Sequence, residues 1–512
     1  MTYLLALSSL LSRLLGILRN NRFADVFGAG EISDAYFAAF QIPDLIYGLI
    51  IYGAISAAFV PIFTGYLRKK KKEEAWLFTN AVLNTLLCLV LVISVTIYFT
   101  SPFFLRYLYP GFSDETLNLT LRLMRIMLLS PIFFSFSAIF GSIQNSFHNF
   151  IFYSLAPVIY NLSIIFGIVF LSGRFGIFGV AYGVAGGAFL HALIQVPIIF
   201  KFGYRYRPLL GLKRKDFRKM ITISIPRIFG IAVTQINFLI EGFIASLGIA
   251  GGLTMFRYAQ DLQSFPIGIV GLSVAISSFA FLAELATDGD EESFVNRLSK
   301  NISNILFLVI PAAVGIFLLR FEIVRLILRS GAFQESHALL TANILGILCI
   351  SLFAASLTPL LSRAFYALHN TKTPVLIAFF SIIINAFLGF FLARKYGISG
   401  LAIANVISIL FNLTFLSFFL RKQFKEHKKI YNQQSLNKII LASAIMVVLV
   451  ILAKNTLGPS LSYLELLIKT LIIILIGATG YFITAHSLKS PEIREIRLLK
   501  KLHFFGKKKT TD

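Results

Sequence analysis

The chain has 512 residues, 57% of them hydrophobic and only 14% charged, with a formal net charge of +24. Soluble domains carry about a quarter charged residues, so this composition excludes a soluble enzyme and points to a polytopic membrane protein. The positive charge does not mark a nucleic-acid binder either, because the lysines and arginines sit in short loops between apolar runs, with no basic face on a recognisable binding fold.

The first apolar run, 3–27, is interrupted by Arg13, Arg19 and Arg22 and has no basic residue before it, which predicts a retained first helix, not a cleaved signal. Further runs follow at 34–66, 76–100, 117–145, 152–172, 176–200, 219–247, 253–284, 300–319, 337–367, 373–393, 398–420, 436–456 and 463–487. These fourteen runs are long enough to cross a bilayer as helices, whereas barrel strands would alternate over about ten residues. The basic segments "LRKKKKEEAW", "KFGYRYRPLLGLKRKDFRK", "RKQFKEHKK" and "REIRLLKKLHFFGKKK" all follow even-numbered spans. They therefore fall on one side, which by the positive-inside rule is cytoplasmic, with both termini there. Cys88 and Cys349 lie within apolar runs and read as small hydrophobes, and Trp76 beside the lysine run reads as an interface anchor.

An internal repeat orders the spans. "FHN" at 147–149 returns as "LHN" at 368–370, and "RFGIFGVA" at 174–181 returns as "KYGISGLA" at 395–402, both offset by 221. "FADVFGAG" at 23–30 resembles "FIASLGIAG" at 243–251, and each precedes a proline-bearing helix, at Pro43 and Pro266. The expected fold is an all-α integral membrane protein of 14 transmembrane helices. Two six-helix lobes, 1–205 and 206–425, would be related by a pseudo-two-fold along the membrane normal. Two additional helices at 426–488 and a basic cytoplasmic tail at 489–512 complete it.

Ionisable groups inside such spans are expensive and mark function. Arg13 and Arg19 have no carboxylate within a helical turn in the sequence, and Arg13 lies far from either helix end. Arg257 and Asp261 lie one turn apart and can share a face; Asp34, Asp44 and Glu241 add acids, while Arg22, Arg227 and Arg363 read as snorkelling to the interface or held in internal salt bridges. A cationic wall on a water-filled cavity suits a phosphorylated anion, since guanidinium binds phosphate oxygens in pairs and stays charged. Two extra apolar helices could shelter an acyl or prenyl tail, which makes a lipid-linked phosphate the economical ligand. No Walker loop, HExxH, zinc-spaced cysteine pair or GxSxG elbow is present, so catalysis is not expected. His148 and His369 fall at equivalent helix ends and read as terminators.

Residues 12–63, with "SRLLGILRNNRFADVFGAGEISDAYFAAFQIPDLI" and "GAISAAFVPIF", resemble the MurJ/MviN lipid II flippases of the multidrug/oligosaccharidyl-lipid/polysaccharide exporter superfamily. "YAQDLQSFPIGIVGLSVA" at 258–275 and "TKTP" at 371–374 extend the resemblance along the chain. It implies movement of the undecaprenyl-pyrophosphate-linked peptidoglycan precursor from inner to outer leaflet of the bacterial inner membrane, with the last two helices forming a groove for the polyprenyl tail. It implies Arg13, Arg19 and Asp34 as substrate-binding residues, and Glu241 as an acid associated in some members with a sodium site, with Asn385 and Asn405 as polar partners. Lipid II, membrane lipids and cell-wall synthesis machinery are the expected partners. Three positions depart from the pattern: Tyr47 and Tyr52 stand where the family has an arginine and a glutamate, and Asp261 replaces an arginine. Arg257, one turn earlier, is expected to restore that charge beside Asp261. A flippase for another undecaprenyl-linked oligosaccharide, or a drug/cation antiporter of the superfamily, is the alternative reading.

Overall fold

The computed structural model describes residues 2–424, 430–459 and 462–493. Residues 494–512 of the expected basic tail and 425–429 of the third basic segment lie outside the described residues. Among the described residues the protein is helical and has no strand.

In chain order the helices are α1 (Thr2–Phe27), α2 (Glu31–Ile46), α3 (Gly53–Arg68), α4 (Lys72–Leu108), α5 (Asp114–Met127), α6 (Leu129–Ser146), α7 (Ile151–Phe166), α8 (Ser172–Phe175), α9 (Ile177–Leu193), α10 (Val196–Lys201) and α11 (Lys215–Ser246). They continue with α12 (Gly252–Pro266), α13 (Leu272–Thr287), α14 (Glu291–Leu318), α15 (Arg320–Leu328), α16 (Glu335–Cys349), α17 (Leu352–Ala367), α18 (Lys372–Tyr396), α19 (Ile398–Lys422), α20 (Gln433–Leu457) and α21 (Tyr463–Ser487). Among the described residues eleven helices are long and apolar enough to cross a membrane, or twelve if α16 and α17, bent by 48°, count as one span. The first two expected spans correspond to α1 and to the α2–α3 segment.

The repeat is legible in the backbone. Gly176 and Gly397, 221 residues apart, take φ of +57° and +58° and separate consecutive helices. The second glycine of each copy, Gly179 or Gly400, leaves room for close packing: a Cβ there would come within 2.6 Å of the Leu171 carbonyl carbon or 2.0 Å of the Leu392 oxygen. Both roles demand glycine, so "GIFG" and "GISG" recur. His148 and His369, also 221 apart, end helices at φ of +55° and +57°. Pro43 and Pro266 are each followed by a π-helical stretch, Tyr47–Tyr52 and Ile267–Gly271.

The described residues divide into two compact units, one from Met1–Met255 and Ile327–His337, the other from Phe256–Leu326 and Ala338–Asp512. The sequence boundary at 205/206 falls inside the first unit, where α11 packs on α3 and α2. The stretch before α11 is strapped to α4. Asn80 Nδ2 donates to the Arg205 carbonyl at 2.9 Å, and Asn84 Nδ2 donates to those of Arg207 and Leu209 at 2.9 and 3.1 Å. Two asparagines one turn apart in an apolar helix thus satisfy a loop that has no secondary structure of its own. Trp76 is buried against Phe63 and Tyr204 instead of facing the membrane interface. Cys88 is exposed and Cys349 buried, and both are free thiols.

In the second unit the core joins α13, α14, α17, α19, α20 and α21 through residues such as Leu298, Leu361 and Leu416. Tyr481 of α21 donates its hydroxyl to the Phe307 carbonyl of α14 at 2.6 Å, and Lys454 of α20 pairs with Glu322 at 2.7 Å. The two final helices are therefore docked by specific polar contacts as well as by apolar area.

Candidate functional site

Arg13 and Arg19 lie half-buried on α1, which packs along α7. The contact face is polar: Ser8 reaches Ser154, and Asn161 Nδ2 donates to the Ser12 hydroxyl at 3.2 Å and to the Pro157 carbonyl at 3.0 Å. The oxygen of that same amide accepts from Arg19 Nη1 at 3.3 Å. Arg19 Nε and Nη2 donate to Asn20 Oδ1 at 3.2 and 3.0 Å. Among the described residues no carboxylate lies within ion-pair distance of Arg19. Neutral amides orient the guanidinium and leave its charge in place. Arg19 and Asp44 are both within electrostatic range of the Tyr36 and Tyr160 hydroxyls, so the acid that sequence distance had hidden lies near this cluster. Tyr47 packs its ring on Phe134 at 5.0 Å. Arg22 is exposed, 3.8 Å from Asp25.

Asp34 is 2% exposed and does not join the arginines. Its Oδ2 accepts from the Gly251 amide at 2.8 Å, and its Oδ1 accepts from the Thr254 amide at 2.8 Å and the Thr254 hydroxyl at 2.6 Å. The carboxylate caps the start of α12, where free amides and the helix dipole favour an anion. Around it the motif "FGAG" forms a knot. Gly28 turns at φ +62°, and a Cβ there would meet the Ala332 oxygen at 2.5 Å. The Ala332 amide donates to the Asp25 carbonyl at 2.8 Å, and Asn21 Nδ2 donates to that of Ile327 at 2.8 Å. Glu31 accepts from the hydroxyls of Thr116 and Ser113 at 2.6 and 3.0 Å. Sequence reasoning missed Thr116 and Thr254; the signal was small hydroxyl residues at helix starts.

Glu241 of α11 is fully buried and accepts from Asn237 Nδ2 at 2.9 Å. Near it, α11 meets the α2 segment by paired glycines and glutamines. A Cβ on Gly242 would come within 2.6 Å of Gln41 Oε1, and one on Gly48 within 2.4 Å of Gln235 Nε2. Asn385 on α18 and Asn405 on α19 are buried within the second unit, whereas Glu241 belongs to the first. No group of three or more His, Cys, Asp or Glu could hold a metal among the described residues.

Arg257 and Asp261 belong to the second unit, on α12. Arg257 is half-buried and donates from Nη1 to Gln260 Oε1 at 2.8 Å, while Asp261 is exposed. Gln263, on the same helix, donates to the Leu348 carbonyl at the α16–α17 bend at 2.7 Å.

The chain matches the family model described as "Lipid II flippase MurJ" over residues 23–472. A probable lipid II flippase MurJ of Thermotoga maritima is 30% identical over 97% of this chain and 98% of its own length. One from Rhizobium tropici is 28% identical over 95% and 93%. Among solved structures, a lipid II flippase MurJ in an inward closed conformation superposes with a TM-score of 0.80 at 28% identity, over 95% of this chain and 99% of that one. An inward-facing transporter of the multidrug-resistance MATE family shares the fold, with a TM-score of 0.69 at 15% identity over 81% of this chain and 95% of that one.

Proposed function

The chain belongs to the lipid II flippase MurJ family, and on that premise we propose that it carries lipid II from the inner to the outer leaflet of the bacterial cytoplasmic membrane by alternating access. It moves an intact molecule, and no bond is made or broken. In this reading both termini are cytoplasmic, the lobes at 1–205 and 206–425 rock about a central cavity, and the prenyl tail lies along α20 and α21 in lipid.

The observation that carries the reading is the setting of Arg19. A guanidinium has five N–H donors, and three are spent on amide oxygens. The two left match two oxygens of a phosphate, the paired geometry that makes arginine a strong phosphate ligand. Keeping such a charge in a membrane helix costs about 2.5–3.5 kcal/mol on insertion scales, a cost that a diphosphate ligand offsets. Arg13 on the same helix adds a second cation, Arg257 on α12 is a further cationic substrate ligand in the second unit, and Asp34 serves as a positioning residue through its cap. Glu241 is the residue that would hold a sodium ion, which would supply the coupling charge for return of the carrier. The inside-negative potential favours outward movement of an anion by about 2.3 kcal/mol per charge per 100 mV.

The test is complementation. In cells depleted of their own flippase, the wild-type chain should restore lipid II to the outer leaflet, read by its accessibility to a membrane-impermeant probe. Arg19→Gln should leave lipid II trapped inside at normal protein levels. Full restoration by Arg19→Gln, or by no variant including the wild type, would remove the proposal, and the latter would favour a different lipid-linked saccharide.

A further inference from the structure

A cavity of about 500 Å³ opens on the first unit where α4, α5, α6 and α9 meet, and none of the candidate site residues lines it. That volume is in the range of small-ligand sites, about 300–1,000 Å³. Pro131 has no N–H to return to the Met127 carbonyl, and α5 passes into α6 there, at Leu128.

The walls are apolar, with Leu91, Val95, Phe99, Ile132 and Ala185 among them. Two lining groups are not. Ser94 is 5% exposed, and its hydroxyl has no hydrogen-bond partner among the described residues. A buried hydroxyl left so costs about 1–3 kcal/mol unless a ligand satisfies it. Arg125, the one charged lining residue, stacks its guanidinium 4.4 Å over the Tyr98 ring and donates from Nε and Nη2 to the Tyr98 carbonyl at 3.3 and 3.2 Å. No carboxylate among the described residues pairs with it, and its Nη1 donors remain available. One turn away, exposed Arg122 lies over the Phe178 ring at 4.7 Å and adds a second cation on the same helix.

Depth sets the ligand. In the orientation proposed above, on which this inference rests, α4 runs outward from Lys72 to Leu108. Its 37 residues make about 55 Å, well beyond the roughly 30 Å hydrocarbon core. Exposed Tyr98, Phe99, Phe103 and Tyr107 form an aromatic girdle on its outer part, which places Arg125 at the outer headgroup boundary with Ser94 one turn deeper. We propose that this cavity binds one anionic phospholipid of the outer leaflet, its phosphate on Arg125, one acyl chain in the apolar recess and an ester oxygen accepting from Ser94. A zwitterionic headgroup would bring its ammonium against two arginines, so charge selects against it.

Native mass spectrometry of the full chain in detergent tests this, with phosphatidylglycerol and phosphatidylethanolamine as probes. The wild type should retain one phosphatidylglycerol under conditions that strip phosphatidylethanolamine. Arg125→Gln should weaken retention by about tenfold, the value of one charge-assisted hydrogen bond. Val95→Phe, which fills the recess, should do the same, and Arg106→Gln, whose arginine lies farther along α4 and pairs with Asp114 at 2.8 Å, should not. Equal retention of both lipids, or retention unchanged in both Arg125→Gln and Val95→Phe, would overturn the proposal. If Arg125→Gln does not fold, Val95→Phe decides. Retention is read without transport, so failure here leaves the flippase reading standing and the reverse holds as well.

Discussion

The Thr254 hydroxyl donates to Asp34 Oδ1 at 2.6 Å, and the Thr254 amide reaches the same oxygen at 2.8 Å. One carboxylate thus holds both donors of one residue at the first turn of α12. Asp34→Asn places an NH2 group among these donors and removes the charge that the helix start favours. Hydrogen bonds to charged groups are worth about 1.5–3 kcal/mol, so thermal unfolding in detergent should fall clearly for Asp34→Asn and less for Thr254→Val. Because the two share one interaction, the double variant should lose less than the sum of the singles by at least about 0.5 kcal/mol. Strict additivity would show that the cap does not couple them.

The Gln41 amide occupies the space that a side chain on Gly242 would need. Gly242→Ala should therefore push α11 off the α2 segment and lower the unfolding temperature. Gln41→Ala removes the obstructing atoms and also one of the two acceptors of the Tyr109 hydroxyl, Gln41 Oε1 at 2.9 Å, leaving the Ala38 carbonyl at 3.2 Å. The pair Gln41→Ala/Gly242→Ala should be more stable than Gly242→Ala alone. A further drop in the double variant would mean that space at Gly242 is not what limits the packing.

Asn161 orients Arg19 through its oxygen and joins α7 to α1 through its nitrogen. Asn161→Asp keeps the shape and converts a neutral acceptor into an ion-pair partner, which should pin and neutralise the guanidinium. Transport should then fall steeply while the fold survives, and Asn161→Ser should do less harm. Arg19→Lys keeps the charge but loses the fork, so partial transport is expected from it and none from Arg19→Gln. Equal activity of Asn161→Asp and the wild type would rule out a requirement for uncompensated charge.

Local chemistry explains what the sequence disclosed. Helices, the 221-residue repeat and the glycine pairs at 176/179 and 397/400 are legible because periodicity and φ demands act on neighbouring residues. The arginines of α1 stood out because charge in an apolar run has few other reasons. Tertiary reuse stayed hidden. Asp34 looks like a cavity acid in the sequence, yet its partners lie 217 and 220 positions away, at Gly251 and Thr254. Asn80 and Asn84 look like polar accidents in a span until the loop at 205–209 is laid on them. Trp76 beside lysines has the signature of an interface anchor, and only packing against Phe63 and Tyr204 shows it to be core.

The same loop ends in a charge cluster whose pH response can be worked out. Arg214 Nη2 lies 2.8 Å from Asp216 Oδ2 and 3.1 Å from Glu74, and the Tyr66 hydroxyl donates to Asp216 at 3.0 Å. Burial works to raise the Asp216 carboxyl, but the Arg214 and Tyr66 hydrogen bonds outweigh it and hold the group below its ordinary value of 3.8. A carboxyl whose folded value is depressed stabilises the fold above its unfolded value, and that contribution is lost as pH falls through the folded one. The unfolding temperature of Asp216→Asn should therefore lie below that of the wild type at neutral pH, and the gap should close in acid, below about 3.8. Arg214→Gln should show the same convergence, since protonating Asp216 removes what the arginine binds. A gap that persists unchanged into acid would assign the effect to packing at the start of α11 and not to the ion pair.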